Sequence, residues 1–143
     1  MAKQIYFEDI KEGSEIPKVV LETSTRQSAV WAIANEDPDP IHFDKEFALG
    51  ANLPGPIVNG RLKLCLLMRL VTDWMGTEGT LRAIGCQHRG MNAVGDPITA
   101  RGKVTRKYTE NGENLVECEI WVETPEGKVT APGSATVAMP ARK

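Results

Sequence analysis

In the stretch RLKLCLLMRLVTDW, residues 61–74, the side chains Leu62, Leu64, Cys65, Leu66, Leu67, Met68, Leu70 and Val71 project around nearly the whole circumference of a helix. A helix that is apolar all round has to be buried on most of its sides. This one is interrupted by Lys63 and Arg69 and is too short and too charged to cross a bilayer. The rest of the chain must therefore wrap it. Arg61, Lys63 and Arg69 are expected to snorkel to the surface or to pair with a carboxylate such as Asp73. They could also meet a polar or phosphate-bearing ligand.

The chain beyond the helix reads as strands. TLRAIGCQHRGM (80–91) comes first, then DPITARGKVTRKYTE (96–110). Asn111-Gly112 marks a tight hairpin. LVECEIWVE (115–123) alternates with period two: Val116, Cys118, Ile120 and Val122 face one way, and Glu117, Glu119, Trp121 and Glu123 the other. TPEGK is a turn, and VTAPGSATVAMP (129–140) closes the sheet.

Ahead of the helix, EIPKVVLETS (15–24) reads as a strand. Ser24 or Thr25 can cap the helix RQSAVWAIANE, whose Val30, Ile33 and Ala34 share one side. Asp44 can cap a short helix, KEFALGA. The order is strand, helices, one very apolar helix, then an antiparallel meander. A sheet with one apolar face solves the burial problem by curling around that helix. The expected class is α+β with a hot-dog fold, as one domain over residues 1–143.

The formal net charge is −2, with 41% hydrophobic and 25% charged residues. That composition fits an ordinary globular domain. Without a basic stripe, nucleic acid is not the expected partner. MAKQIYFEDIKEG lacks the apolar segment of a signal peptide, so a cytoplasmic protein away from membranes is expected. Cys65, Cys86 and Cys118 are odd in number and widely spaced, which fits reduced, mostly buried thiols. Cys86 and His88 share a strand face but are too few ligands for a metal site.

The decisive loop for function is NEDPDPIHFD, residues 35–44. Asp37-Pro38-Asp39-Pro40 cannot be helical, because proline fixes φ and biases the residue before it away from the α region. The loop is thus a stiff acidic segment with His42 at its end. Asp37, Pro40, Ile41 and His42, with Ala48 six residues on, resemble the hydratase motif of MaoC-like dehydratases, the (R)-specific enoyl-CoA hydratases. IYFEDIKEGSEIP, GPIVNGRL, VGDPITARGKVT and PGSATVAMP resemble other parts of the same family, so the likeness runs along almost the whole chain. The departures are Glu36 for a usual glycine, Asp39 for a usual asparagine, Asn59 for a common histidine, and HRGMNAVGD without the usual aromatic and proline.

The resemblance implies reversible hydration of a trans-2-enoyl thioester to the (R)-3-hydroxyacyl thioester. That chemistry needs an activated water, a proton for Cα and stabilisation of charge on the thioester oxygen. By resemblance, Asp37 and His42 hold the water, with Asp37 as base, and the Gly60 amide at the start of the apolar helix binds the thioester oxygen. Asn59 and Asp39 are candidate substrate-binding residues; a plain loop position would leave Asp39 solvated. No metal or redox cofactor is implied, since coenzyme A is part of the substrate. Lys103, Arg106 and Lys107 form a surface cluster able to meet its phosphates. A dimer is expected, with a second copy or with another hot-dog chain. The alternatives are an acyl-carrier-protein-linked dehydratase, a thioesterase, or a partner subunit without activity of its own.

Overall fold

A computed structural model describes residues 3–143. Five strands form one antiparallel sheet: β1 (Glu15–Leu21), β2 (Thr80–Cys86), β3 (Ile98–Glu110), β4 (Glu113–Glu123) and β5 (Val129–Ala138), in the order β1-β3-β4-β5-β2. The helices are α1 (Thr25–Ala34), α2 (Lys45–Gly50) and α3 (Gly60–Met75), with a 3-10 turn at Pro40–His42. The apolar helix α3 touches all five strands. One helix can meet every strand of a sheet only if the sheet curls around it, and this is the hot-dog fold.

The β3–β4 hairpin turns at Asn111 and Gly112, with φ of 50° and 78°. Two positive φ values are what a two-residue type I′ turn requires. The alternation of β4 is as read: Val116, Cys118, Ile120 and Val122 are buried, while Glu117, Trp121 and Glu123 are half-buried and Glu119 is exposed. These join Leu66, Leu67, Leu70 and Val71 of α3, together with Ile98, Ala100, Val104, Ala131, Ala135 and Val137, in one core. Gly102 sets the approach of helix and sheet. A Cβ there would lie 3.0 Å from Ile16 and 3.3 Å from Leu70.

Several expectations need correction. The helix α3 is not covered all round: Cys65 and Met68 are exposed with Arg61, Arg69, Thr72 and Asp73, and Leu64 is half-buried. Lys63 does not snorkel; it is buried, and its Nζ donates to the Gly90 carbonyl at 2.9 Å. Burial holds its pKa below the usual lysine range. Arg69 does pair with Asp73, at 3.4 Å. On α1, the side bearing Val30, Ile33 and Ala34 points outward, and Ser28 and Ala32 face inward. Ser24 caps α1 through Gln27 N, and Asp44 caps α2 through Phe47 N.

Strand β2 ends at Cys86 rather than Met91. Beyond it, Gln87 N still donates to Pro132 O, but Arg89 N and Gly90 N both converge on Thr130 O, which breaks the regular ladder. Of the thiols only Cys118 is buried; burial pushes its pKa up to about 12, leaving it protonated and inert. No cluster of metal-ligating side chains occurs among the described residues, and no helix there is long and apolar enough to cross a membrane.

Candidate active site

The acidic loop is held at both ends by backbone. Asp37 N donates to Ala32 O at 2.9 Å, which folds the chain back on the end of α1. Glu36 lies between at φ 53°. That is the left-handed region, where a side chain costs about 1–2 kcal/mol and glycine is at ease. A glycine at this position would relieve that cost. After Asp39, the residues Pro40–His42 make one 3-10 turn with proline at its first position, where its missing N–H is not needed.

This geometry delivers Asp37 and His42 to one short segment, Ile57–Asn59. Asn59 Nδ2 donates to Asp37 Oδ2 at 2.9 Å. His42 Nδ1 lies 2.7 Å from the Ile57 carbonyl oxygen. A carbonyl oxygen only accepts, so Nδ1 carries a proton, and in the neutral ring Nε2 holds the lone pair. The two contact points are two residues apart, at most about 7 Å of chain. His42 is buried and Asp37 half-buried.

The segment itself is braced from beneath. Ile57 forms a bridge with Ala93, Val58 N donates to Asn92 O at 2.8 Å, and Val94 N donates to Pro56 O at 2.9 Å. Asn92 is anchored in turn: its Oδ1 accepts from the buried Thr130 hydroxyl at 2.6 Å. Sequence reasoning did not find Asn92 or Thr130, because neither type stands out within a strand or loop. Only the structure shows that they fix the loop carrying the acceptor for His42.

Asn59 does two jobs. Besides reaching Asp37, it is the N-cap of α3, with Oδ1 accepting from Arg61 N at 2.8 Å. Gly60 is the first helical residue, so its N–H points out of the positive end of α3. Asp39 does not join this group. Its carboxylate accepts from Ile41 N at 3.1 Å and the residue is exposed, so it caps the 3-10 turn. Asp39→Asn should therefore leave the acidic limb of the kcat/KM profile where it is, measured at one ionic strength. A shift to lower pH would mean that the Asp39 charge is felt at the site.

The two roles of Asn59 can be separated. Asn59→Ser keeps a good N-cap but is too short to hold Asp37, whereas Asn59→Ala loses both. Alanine should lower stability by about 1 kcal/mol and serine by little, while both reduce turnover. Urea unfolding alongside kinetics reads the difference.

The basic cluster is mostly committed elsewhere. Lys107 Nζ donates to Phe7 O at 2.7 Å and Ile10 O at 2.9 Å, and Arg106 lies 3.8 Å from Glu117 and over the Tyr108 ring. Lys107 thus secures the N-terminal segment to β3, Arg106 pairs across to β4, and Lys103 is exposed.

An Asp/His pair thus stands on a stiff loop against the N-terminus of a sheet-wrapped helix, an arrangement able to do acid–base chemistry. The sequence profile of the MaoC-like domain matches residues 11–125, and the chain belongs to the MaoC-like dehydratase family. It is 26% identical over 126 residues to the fatty acid synthase subunit beta of Saccharomyces cerevisiae; the match covers 87% of this chain and 6% of that protein, so the chain spans a small fraction of that relative. Among solved structures it resembles the (R)-hydratase from A. caviae involved in PHA biosynthesis, with a TM-score of 0.83, 23% identity, and coverage of 93% and 99% of the two chains. It also resembles one chain of the ChsH1-ChsH2 complex from Mycobacterium tuberculosis, with a TM-score of 0.77, 22% identity, and coverage of 90% of this chain and 98% of that one.

Proposed function

We propose that this chain reversibly hydrates a trans-2-enoyl thioester, with coenzyme A as the carrier, to give the (R)-3-hydroxyacyl thioester. The observation that carries this reading is the convergence of Asp37 and His42 on Ile57–Asn59, immediately before the Gly60 amide. A water between Asp37 and the bare Nε2 of His42 loses a proton to Asp37 as its oxygen bonds to Cβ. The same proton returns to Cα, so H and OH are added and nothing is left over. In between, charge builds on the thioester oxygen, and the Gly60 N–H is the group placed to receive it.

A groove of about 450 Å³ runs between α1, β1 and α3, lined by Leu21, Val30, Trp31, Ala34 and Leu62 among others. Its walls are mostly apolar, which is the character an acyl chain needs, and Ala34 and Leu62 stand on α1 and α3. Its volume is in the range of small-molecule sites. A carrier-protein thioester is the second reading, favoured by the likeness to a fatty acid synthase subunit. A second hot-dog chain as partner is in keeping with the ChsH1-ChsH2 likeness.

The test is an assay of purified protein against enoyl-CoAs of different chain length, following enoyl absorbance with a thiol reagent present. Loss of absorbance without thiol release is the expected result. Thiol release would make the protein a thioesterase instead.

A further inference from the structure

We infer that His88 is a second hydrogen-bond donor to the substrate's thioester oxygen, acting beside the Gly60 amide; this rests on the hydratase reading. His88 lies past the end of β2, yet its ring comes back over the start of α3. A Cβ built on Gly60 would be 3.0 Å from His88 Nε2 and Cε1 and 3.2 Å from Cδ2. The first residue of the helix therefore packs against the face of the imidazole on its Nε2 side, which leaves the in-plane Nε2 position uncovered by Gly60. A side chain at position 60 would require the imidazole to give way by a few tenths of an ångström.

Both donors are unengaged. In the first turn of α3, Arg61 N is taken by Asn59 Oδ1 and Lys63 N by Asn59 O, but Gly60 N has no acceptor among the described residues. The His88 ring makes no hydrogen bond among them either. Two free donors at one helix end, next to the Asp37–Asn59 contact, form a place for an oxygen that gains negative charge.

The backbone that carries the ring is held in place before any substrate arrives. Gln87 N donates to Pro132 O at 2.9 Å, Arg89 N to Thr130 O at 2.8 Å and Gly90 N to Thr130 O at 3.0 Å, which pins the backbone on either side of His88. Lys63 Nζ ties the Gly90 carbonyl to α3 as well. Burial, and then the Lys63 charge, hold the His88 pKa below the usual imidazole value. The ring is thus neutral at neutral pH, and with its proton on Nε2 it donates without adding charge. Phenylalanine is the substitution of choice: it keeps a ring and removes the donor.

Removing one oxyanion donor from a closed site costs about 100- to 1000-fold in kcat. His88 is exposed, so water replaces part of its effect. In the full chain, His88→Phe should lower kcat about 10- to 100-fold with KM little changed, as for an interaction made mainly in the transition state. His88→Gln, which keeps an N–H, should recover part of the loss. A direct readout is the red shift of a conjugated enoyl thioester on binding to Asp37→Asn protein, which reports polarisation of its carbonyl. The shift should shrink in Asp37→Asn/His88→Phe, and an undiminished shift there overturns the inference whatever the rates. Hydration by the wild type with an unchanged kcat in His88→Phe also overturns it, and leaves the hydratase reading standing. Failure of the wild type to hydrate any enoyl thioester overturns both.

Discussion

Asp37→Asn is expected to lower kcat for enoyl thioester hydration by at least about 100-fold, the lower end of what a positioned acid–base group contributes. The amide keeps the size and can still meet Asn59, so the loop should hold while the proton acceptor is lost. His42→Ala should cost as much by a different route. It removes Nε2 as an acceptor for the water and leaves the Ile57 carbonyl without its 2.7 Å partner. Because the two groups would hold one water, the double variant should be little worse than either single one. Steady-state kinetics with circular dichroism on each variant measures this. Near wild-type turnover in either folded single variant would remove that residue from the mechanism.

The fold was legible because its strongest signals are one-dimensional. The β4 alternation and the Asn111-Gly112 turn each admit a single local structure, and the packing they lead to is the packing found. The loop that carries the candidate pair was legible, since two prolines fix the backbone between Asp37 and His42. What the loop could not reveal is its support. The bracing of Ile57–Asn59 by Asn92, and of Asn92 by Thr130, joins residues 38 apart in sequence, and no periodicity marks such a pair. Asn59 was legible as a departure from similar sequences, but its double role as N-cap and Asp37 partner depends on where α3 begins.

The helix faces were read less well, and for one reason. Periodicity identifies which residues share a side, not what that side meets. Val30 and Ile33 of α1 are 61% and 71% exposed, although their spacing is that of a core face. The same holds for α3, where polar Thr72 and Asp73 share the open stripe with Cys65 and Met68. Lys63 is the converse case, a charged residue carried inward because its position on the helix faces the loop at Gly90.

The two sides of α3 predict very different responses to one kind of substitution. Leu67 is fully buried and packs within the core. Truncating such a leucine costs about 2–5 kcal/mol, and aspartate adds an unpaired buried charge, which costs several more. Set against a typical domain stability of about 5–15 kcal/mol, Leu67→Asp should abolish the cooperative thermal transition. Met68, the next residue, is 39% exposed. Met68→Asp should change stability by no more than about 0.5 kcal/mol, as a surface substitution does. Thermal melts of the two variants make the comparison, with size-exclusion chromatography to follow assembly. A folded Leu67→Asp would mean that α3 is not enclosed by the sheet. A Met68→Asp protein that is folded but smaller in solution than the wild type would place a second chain on the open stripe of α3, beside the helix end that carries Gly60.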